Sequence, residues 1–590
     1  MRTPTPATGT HDRRRRATVA VAAACLIGGL LAQAPAGASR RAAAAGERRA
    51  PVAASPRVLR VGTFHGIHGQ YQTIQAAVDA ARPGDWILIG PGDYHEQQDH
   101  DHPGNDDPRA GVLIRTPGIH LRGMDRNEVM VDGTLPGSAR CASDEASQDF
   151  GVVAGGSPQG RNGVVVSKVS GVSLENFSAC NFQSGGGNQI WFNGGDGSGH
   201  IGMNSYSGAF LSATDTYWGG PSKGHGEYGI FVSNARGTGR ISNTYASNMA
   251  DSAYYIGACT DCNVVLDRAH AEYSALGYSG TNSGGNLTIS NGEWDQNKTG
   301  IVTNSQNNDD APSPQDGRCP HGTGPTGTGS CWQVVGNYVH DNNNPDVPSL
   351  GSADFGPVGT GIVVSGGRHD IVRNNRIVNQ GSWGILFVPF PDSATPPLDQ
   401  LSKCQGGNVD FFGIPCFYDD WGNEGTANTF HHVGYFGNET NGDLGDISFQ
   451  HIGDGNWWHG NVDEDGQLTT APALLQVTHG KQHNNAAGAS PTDPLGDQVI
   501  CATQALGPCP TDPQHQYPRQ TQVVLHPLAD QPTMADPCAG VPRNAWCPDN
   551  PSDTTTTTTN SGTTTSTTDG PSPQAAEPAA PVEGNPRFTG

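Results

Sequence analysis

Short apolar strand signals return along this chain at a nearly constant interval. Segments opening Gly208-Ala-Phe-Leu, Gly229-Ile-Phe-Val, Ala253-Tyr-Tyr-Ile, Ala275-Leu-Gly-Tyr and Gly300-Ile-Val-Thr are 21, 24, 22 and 25 residues apart. After a polar insertion, Gly361-Ile-Val-Val and Gly384-Ile-Leu-Phe are 23 apart. A fixed period of this size marks a solenoid, in which each coil buries its apolar residues only by stacking on its neighbours. One interval holds three short strands and three turns. A β-sandwich also has many short strands but does not repeat one motif at constant period. With 82 Gly, 43 Pro and only 15% charged residues in 590, the composition is that of a loop-rich β protein. Asn-rich turns such as Arg373-Asn-Asn-Arg-Ile-Val-Asn379 add a means of satisfying backbone groups from coil to coil through stacked amides. The expected fold is all-β, a single-stranded right-handed parallel β-helix over residues 58–480.

One helix is expected before the coils begin. In Tyr71-Gln-Thr-Ile-Gln-Ala-Ala-Val-Asp-Ala-Ala-Arg-Pro-Gly84, Ile74, Ala77, Val78 and Ala81 fall at helical spacing, Thr73 suits the N-cap and Pro83-Gly84 the stop. Trp86-Ile-Leu-Ile89 then reads as a strand. A helix here would cap the open end of the solenoid. This stretch, with Pro83-Gly84-Asp85 and Gly90-Pro-Gly-Asp-Tyr-His-Glu96, resembles the N-terminal entry of the pectin-lyase-like β-helix superfamily, which includes pectin methylesterases and sugar-hydrolase repeat proteins. The resemblance implies the right-handed β-helix and, by analogy of fold, an extracellular polysaccharide or cell-envelope glycan as partner. It names no reaction. The Gln-Asp-Thr and Asp-Phe-Ile-Phe-Gly signatures of the methylesterases and the Asp-Pro-His-Asp of mannuronan epimerases are missing from this sequence. Gly224-His225-Gly226 matches the Gly-His-Gly of polygalacturonase-type glycosidases without their other motifs in order.

The ends of the chain point to export. Arg13 to Arg16, the apolar run Ala17 to Leu31 and the small residues Ala36-Gly37-Ala38 form a signal peptide over residues 1–38, and a membrane span would need a longer run. Hence no integral membrane segment is expected in the mature chain, which is placed outside the cell or on its surface. Residues 39–57 read as a flexible lead-in, 481–552 as a Cys- and Pro-rich C-terminal extension and 553–590 as a Thr-rich disordered tail. Setting aside Cys25 in the signal, the 12 remaining cysteines fall into neighbouring pairs: Cys259-Cys262, Cys319-Cys331, Cys404-Cys416, Cys501-Cys509 and Cys538-Cys547, leaving Cys141-Cys180. An exported chain favours disulfides here over zinc, for which no second ligand pair is spaced. The net charge of −23 argues against nucleic acid and, with only five lysines, favours a neutral glycan over a polyuronate.

A regular coil also predicts which residues stack. Counting two residues back from the small residue that opens each strand gives Tyr206, Glu227, Asp251, Tyr273 and Lys298, expected about 4.8 Å apart along one face. Two acids, two phenols and an ammonium form a set able to exchange protons, and the carboxylates would also suit calcium. Glu227, Asp251, Tyr273 and Lys298 are the candidate catalytic groups; Tyr206, His225, Tyr228 and Trp294 are candidates for substrate binding, with Glu272 close by. Glu227 and Asp251 suit glycoside cleavage. Lys298 or Tyr273 with calcium would suit β-elimination. The outward face of any β-helix is polar, however, so such a row also serves solubility. The alternative function is that of a non-catalytic surface or envelope protein, in which the rigid helix presents loops and the Thr-rich tail is a spacer.

Overall fold

The computed structural model describes residues 55–96, 108–154, 156–183, 187–195, 200–280, 283–304, 332–391, 407–408, 417–418, 420, 422–446, 455–478, 498 and 517–550. The expected signal peptide, most of the lead-in, the Thr-rich tail and the pairs Cys319-Cys331, Cys404-Cys416 and Cys501-Cys509 lie outside them.

Within these residues the chain winds as a right-handed parallel β-helix, with one large sheet of 19 strands and a second of 11. Most coils give the large sheet a bent pair of strands and the second sheet a single strand. The bend is made by one residue in the left-handed region, as at Asn176, Asn243, Arg268, Asn291 and Asn374, with φ between 52° and 60°. Asn tolerates this conformation because its short amide bonds locally. Apolar residues facing inward from both sheets join one core running from Leu59 to Leu475, in which Trp294, Trp332 and Trp458 are fully buried. Glycine is required where coils meet most closely. At Gly277, Gly300 and Gly361 an added Cβ would stand 2.4 to 2.7 Å from the next coil's carbonyl.

The predicted helix forms over Ile74–Ala80 with Thr73 as N-cap. Its Gln75 accepts from Leu113 N at 2.7 Å and donates to Leu113 O at 3.2 Å, meeting the outer edge of Ala110–Ile114, the first strand of the second sheet. A side-chain amide there stands in for the missing neighbouring strand.

Farther along, amides stack in a ladder. The Oδ1 atoms of Asn375, Asn428 and Asn461 each accept from the backbone N–H and the Nδ2 of the preceding member, Asn337, Asn375 and Asn428, at 3.0 Å. Trp294 Nε1 opens the ladder on Asn337 Oδ1, and Gln476 closes it on Asn461.

Among the described residues three disulfides form: Cys141–Cys180, Cys259–Cys262 and Cys538–Cys547. The described part of the C-terminal extension, residues 517–550, is laid back along the coils. Thr521 bonds Asp346, the His526 ring stacks on Tyr273 at 3.7 Å, Gln531 bonds Asn127, and Trp546 Nε1 reaches Ile67 O. No helix among the described residues is long and apolar enough to cross a membrane.

Candidate functional site

Strand pairing settles which residues share a line. In the second sheet Tyr228 is in register with Ser252, Ser252 with Leu276, and Leu276 with Thr299. The residues immediately before these are Glu227, Asp251, Ala275 and Lys298. Asp251 N bonds Glu227 O at 3.1 Å and Leu276 N bonds Asp251 O at 2.9 Å, so the alignment extends into the turn. Two of the expected members leave the line. Tyr206 belongs to Tyr206–Thr214 in the other sheet, where it pairs with Val172 and Gly239 and is 4% exposed in the core. Tyr273 is a left-handed corner residue equivalent to Asn248, because Ser247 is in register with Glu272. The turn after Tyr273 is one residue shorter than the turn after Asn248. Consequently the small residue equivalent to Ala253 is Gly277, and the count from Ala275 started two residues early.

Lys298 stays in line but its ammonium is committed elsewhere. Its Nζ bonds Asp354 O at 2.7 Å, Asp354 Oδ1 at 3.3 Å and Ser349 Oγ at 3.4 Å, pinning the 3-10 turn Gly351–Phe355 to the coil. Burial lowers its pKa to about 8 despite the Asp354 charge. Trp294 is wholly inside, set edge-on to Tyr254 and Tyr278, and offers no face to a sugar. Glu272 lies on the large sheet, where it accepts from Tyr245 at 2.8 Å.

Glu227 and Asp251 remain as neighbouring carboxyls on adjacent coils. Burial, and then the charge of Asp251, push the Glu227 carboxyl up to about 7. No donor reaches it among the described residues. Asp251 hydrogen-bonds Tyr228, whose phenol is driven well above its ordinary pKa by burial and by the two acids. The approach of the chain to Glu227 is fixed from below. Asp215, 2% exposed, takes Gln183 Nε2 at 2.6 Å and Tyr217 N at 3.0 Å and also accepts from Gly226 N, the residue before Glu227.

Several polar atoms around this pair are buried without a hydrogen-bond partner among the described residues: Ser252 Oγ, Asn188 Oδ1, Gln183 Oε1 and His225 Nδ1. Asn188 precedes Gln189, whose N–H bonds Tyr228 O, so it borders the same coil. Such atoms are costly unless something else meets them.

Beside the acids runs an aromatic row that the sequence reading missed. Trp191 is in register with Phe231 and Phe231 with Tyr255; each has core residues on both sides and so points away from the core, with Trp191 and Phe231 half-buried and Tyr255 covered at 6% exposure. Ring centroids are 5.2 Å apart for Trp191 and Phe231 and 4.8 Å for Phe231 and Tyr255, and Tyr228 stacks on Phe231 at 4.6 Å. The signal was present as an aromatic at the same offset after the small residue in successive coils, Phe231 two after Gly229 and Tyr255 two after Ala253.

The fold defines the chain's class as a right-handed parallel β-helix. No protein-family model and no curated protein matches it. Among solved structures it is similar to the A-module of mannuronan C-5 epimerase AlgE4 of Azotobacter vinelandii, at 14% identity over 66% of this chain and 90% of that one, with a TM-score of 0.39. The catalytic unit of the GH87 alpha-1,3-glucanase of Streptomyces thermodiastaticus gives 10%, 67%, 60% and 0.35 in the same order. For the endo-xylogalacturonan hydrolase of Aspergillus tubingensis the values are 10%, 74%, 100% and 0.36. Likeness at this level is one of shape and carries no argument about activity.

Proposed function

We propose that this protein is a secreted carbohydrate-active protein that takes a neutral extracellular polysaccharide along the second sheet and cleaves it with Glu227 and Asp251. The reading rests on one observation: two carboxyls in register on adjacent coils, one held near neutrality by burial and its neighbour, beside an outward aromatic row. Flat rings suit the C–H faces of sugars. A carboxyl with a pKa of about 7 keeps a proton to donate at working pH, which an ordinary Glu does not.

Glu227 gives its proton to the glycosidic oxygen as the bond from the anomeric carbon breaks. Asp251 bonds that carbon as carboxylate, and water then displaces it, losing its proton to Glu227. The spacing of neighbouring coils, about 4.8 Å, favours this double displacement over single attack by water, which needs carboxyls about 6.5 to 9.5 Å apart. The acidic charge of the chain supports a neutral glycan, and its disulfides suit an exported protein.

The test is reducing-end release from a panel of neutral and acidic glycans, comparing wild type with Glu227→Gln and Asp251→Asn. Turnover of a neutral glycan, lost in both variants while binding persists, is the expected result. Binding without turnover on every glycan would overturn the enzymatic reading and leave a surface adhesion protein. Unsaturated products would replace hydrolysis with elimination.

A further inference from the structure

On the large sheet, away from Glu227 and Asp251, the first two coils bring three metal-ligating side chains together. Gly92–Tyr94 pairs with Val129–Asp132 so that Tyr94 is level with Val131, and His95, the next residue, with Asp132. Asp93 and His95 flank the inward Tyr94 and face outward beside Asp132. One donor atom from each of Asp93, His95 and Asp132 lies within 4.8 Å of the other two.

The hydrogen bonds around them leave lone pairs facing one another. His95 Nδ1 is 3.0 Å from Thr134 O and 3.3 Å from Thr134 Oγ1, whose own proton goes to Asp132 Oδ1 at 2.7 Å. Nδ1 is therefore the N–H, and in the neutral ring Nε2 presents its lone pair to Asp93 Oδ2 at 3.4 Å. A backbone carbonyl on the far nitrogen is the usual way a ligating imidazole is oriented. Asp132 is fully buried and held by Thr134 N at 2.8 Å and Cys141 N at 2.6 Å. Asp93 Oδ1 is a buried oxygen with no hydrogen-bond partner among the described residues. The neighbouring Arg140 guanidinium is engaged by the carbonyls of Asn127 and Glu128.

We infer that Asp93, His95 and Asp132 form a binding site for a divalent transition-metal ion of the zinc class, clamping the first two coils. Three protein ligands of one nitrogen and two carboxylates leave a fourth position for water, and the imidazole selects against calcium. Asp93 and Asp132 come from paired strands, and His95 directly follows one and is held by Thr134, so little ordering is needed on binding.

The experiment is calorimetric titration of the full-length protein, stripped with chelator, with Zn²⁺ near neutral pH, using Asp93→Asn and His95→Gln as variants. Asp132 is left intact because it also orders Thr134 and Cys141. The expected result is uptake of one ion, weakened by at least about tenfold in each variant and by acidification, with Ca²⁺ binding far more weakly. Zn²⁺ should raise the melting temperature of wild type and not of the variants. Co²⁺ bound by wild type should absorb as a nitrogen and oxygen complex without thiolate bands, a readout that needs no variant to fold. Absence of uptake by wild type, as when His95 and Asp93 pair through a proton alone, or uptake unchanged in both variants, overturns the site.

Discussion

The Asn337-to-Asn461 ladder and the Glu227–Asp251 line are both rows of polar residues stacked at the coil spacing, yet they are finished differently. In the ladder every amide oxygen takes two donors from the coil before it, and Gln476 satisfies the last member. In the line Glu227 receives no donor among the described residues, and Ser252 Oγ and Asn188 Oδ1 nearby are buried without partners. A stacked polar row is thus not informative in itself. Completion marks scaffold, and incompleteness marks a place where an outside molecule supplies the missing bonds.

The largest effect that would sharpen this contrast is on turnover. Glu227→Gln and Asp251→Asn should each lower glycan cleavage by about 10²- to 10⁴-fold without destabilising the fold, Glu227→Gln changing unfolding by less than about 1 kcal/mol at the acid end, where Glu227 is protonated in both folded and unfolded chain; equal losses of stability and turnover would break it. Asn375→Ala should do the reverse. It removes the acceptor of Asn337 N and Nδ2, so denaturant unfolding should lose about 2 to 4 kcal/mol with the turnover of the folded fraction unchanged. Trp191→Ala should weaken glycan binding by about tenfold, read as a higher KM at constant kcat, as expected if its ring stacks on a sugar. Lys298→Met should have the smallest effect. Its ammonium serves the Asp354 turn, so turnover should stay within about twofold of wild type. A loss like that of Glu227→Gln would return Lys298 to the reaction.

Much of this contrast was legible in the sequence, and the part that failed did so for a local reason. The near-constant interval identified the solenoid, and Asn375 falls in the Asn-rich turn that suggested stacked amides. Register was harder, since strand periodicity marks where strands lie without fixing corner length. Reading Gly277 instead of Ala275 as the repeat residue gives intervals of 24, 24 and 23 from Gly229 to Gly300, more even than those first counted. That choice would have put Ala275 in place of Tyr273. Gly208 misled differently, because it opens its four-residue motif in the large sheet. Trp294 could not be assigned to core or surface from its neighbours, as its strand Glu293–Asp295 is only three residues long and its two neighbours there are acids. The extension laid along the coils left no periodic signal at all, its contacts being scattered hydrogen bonds, one ring stack and a small apolar cluster around Trp546 from Pro-rich chain.

The central claim is that Glu227 is a half-buried, unassisted carboxyl, and pH-dependent unfolding tests it most directly. Between the ordinary Glu value of 4.5 and about 7, folded protein holds a proton that the unfolded chain has released. Wild type should therefore lose stability as pH rises through that window, whereas Glu227→Gln has no such group to titrate. The measurement is the difference in unfolding free energy between Glu227→Gln and wild type across pH. The account predicts that the variant gains between about 1 and 3 kcal/mol relative to wild type from the bottom of the window to the top, levelling above it. A difference that stays flat through the window would mean that Glu227 titrates as an ordinary surface acid, and would contradict the account.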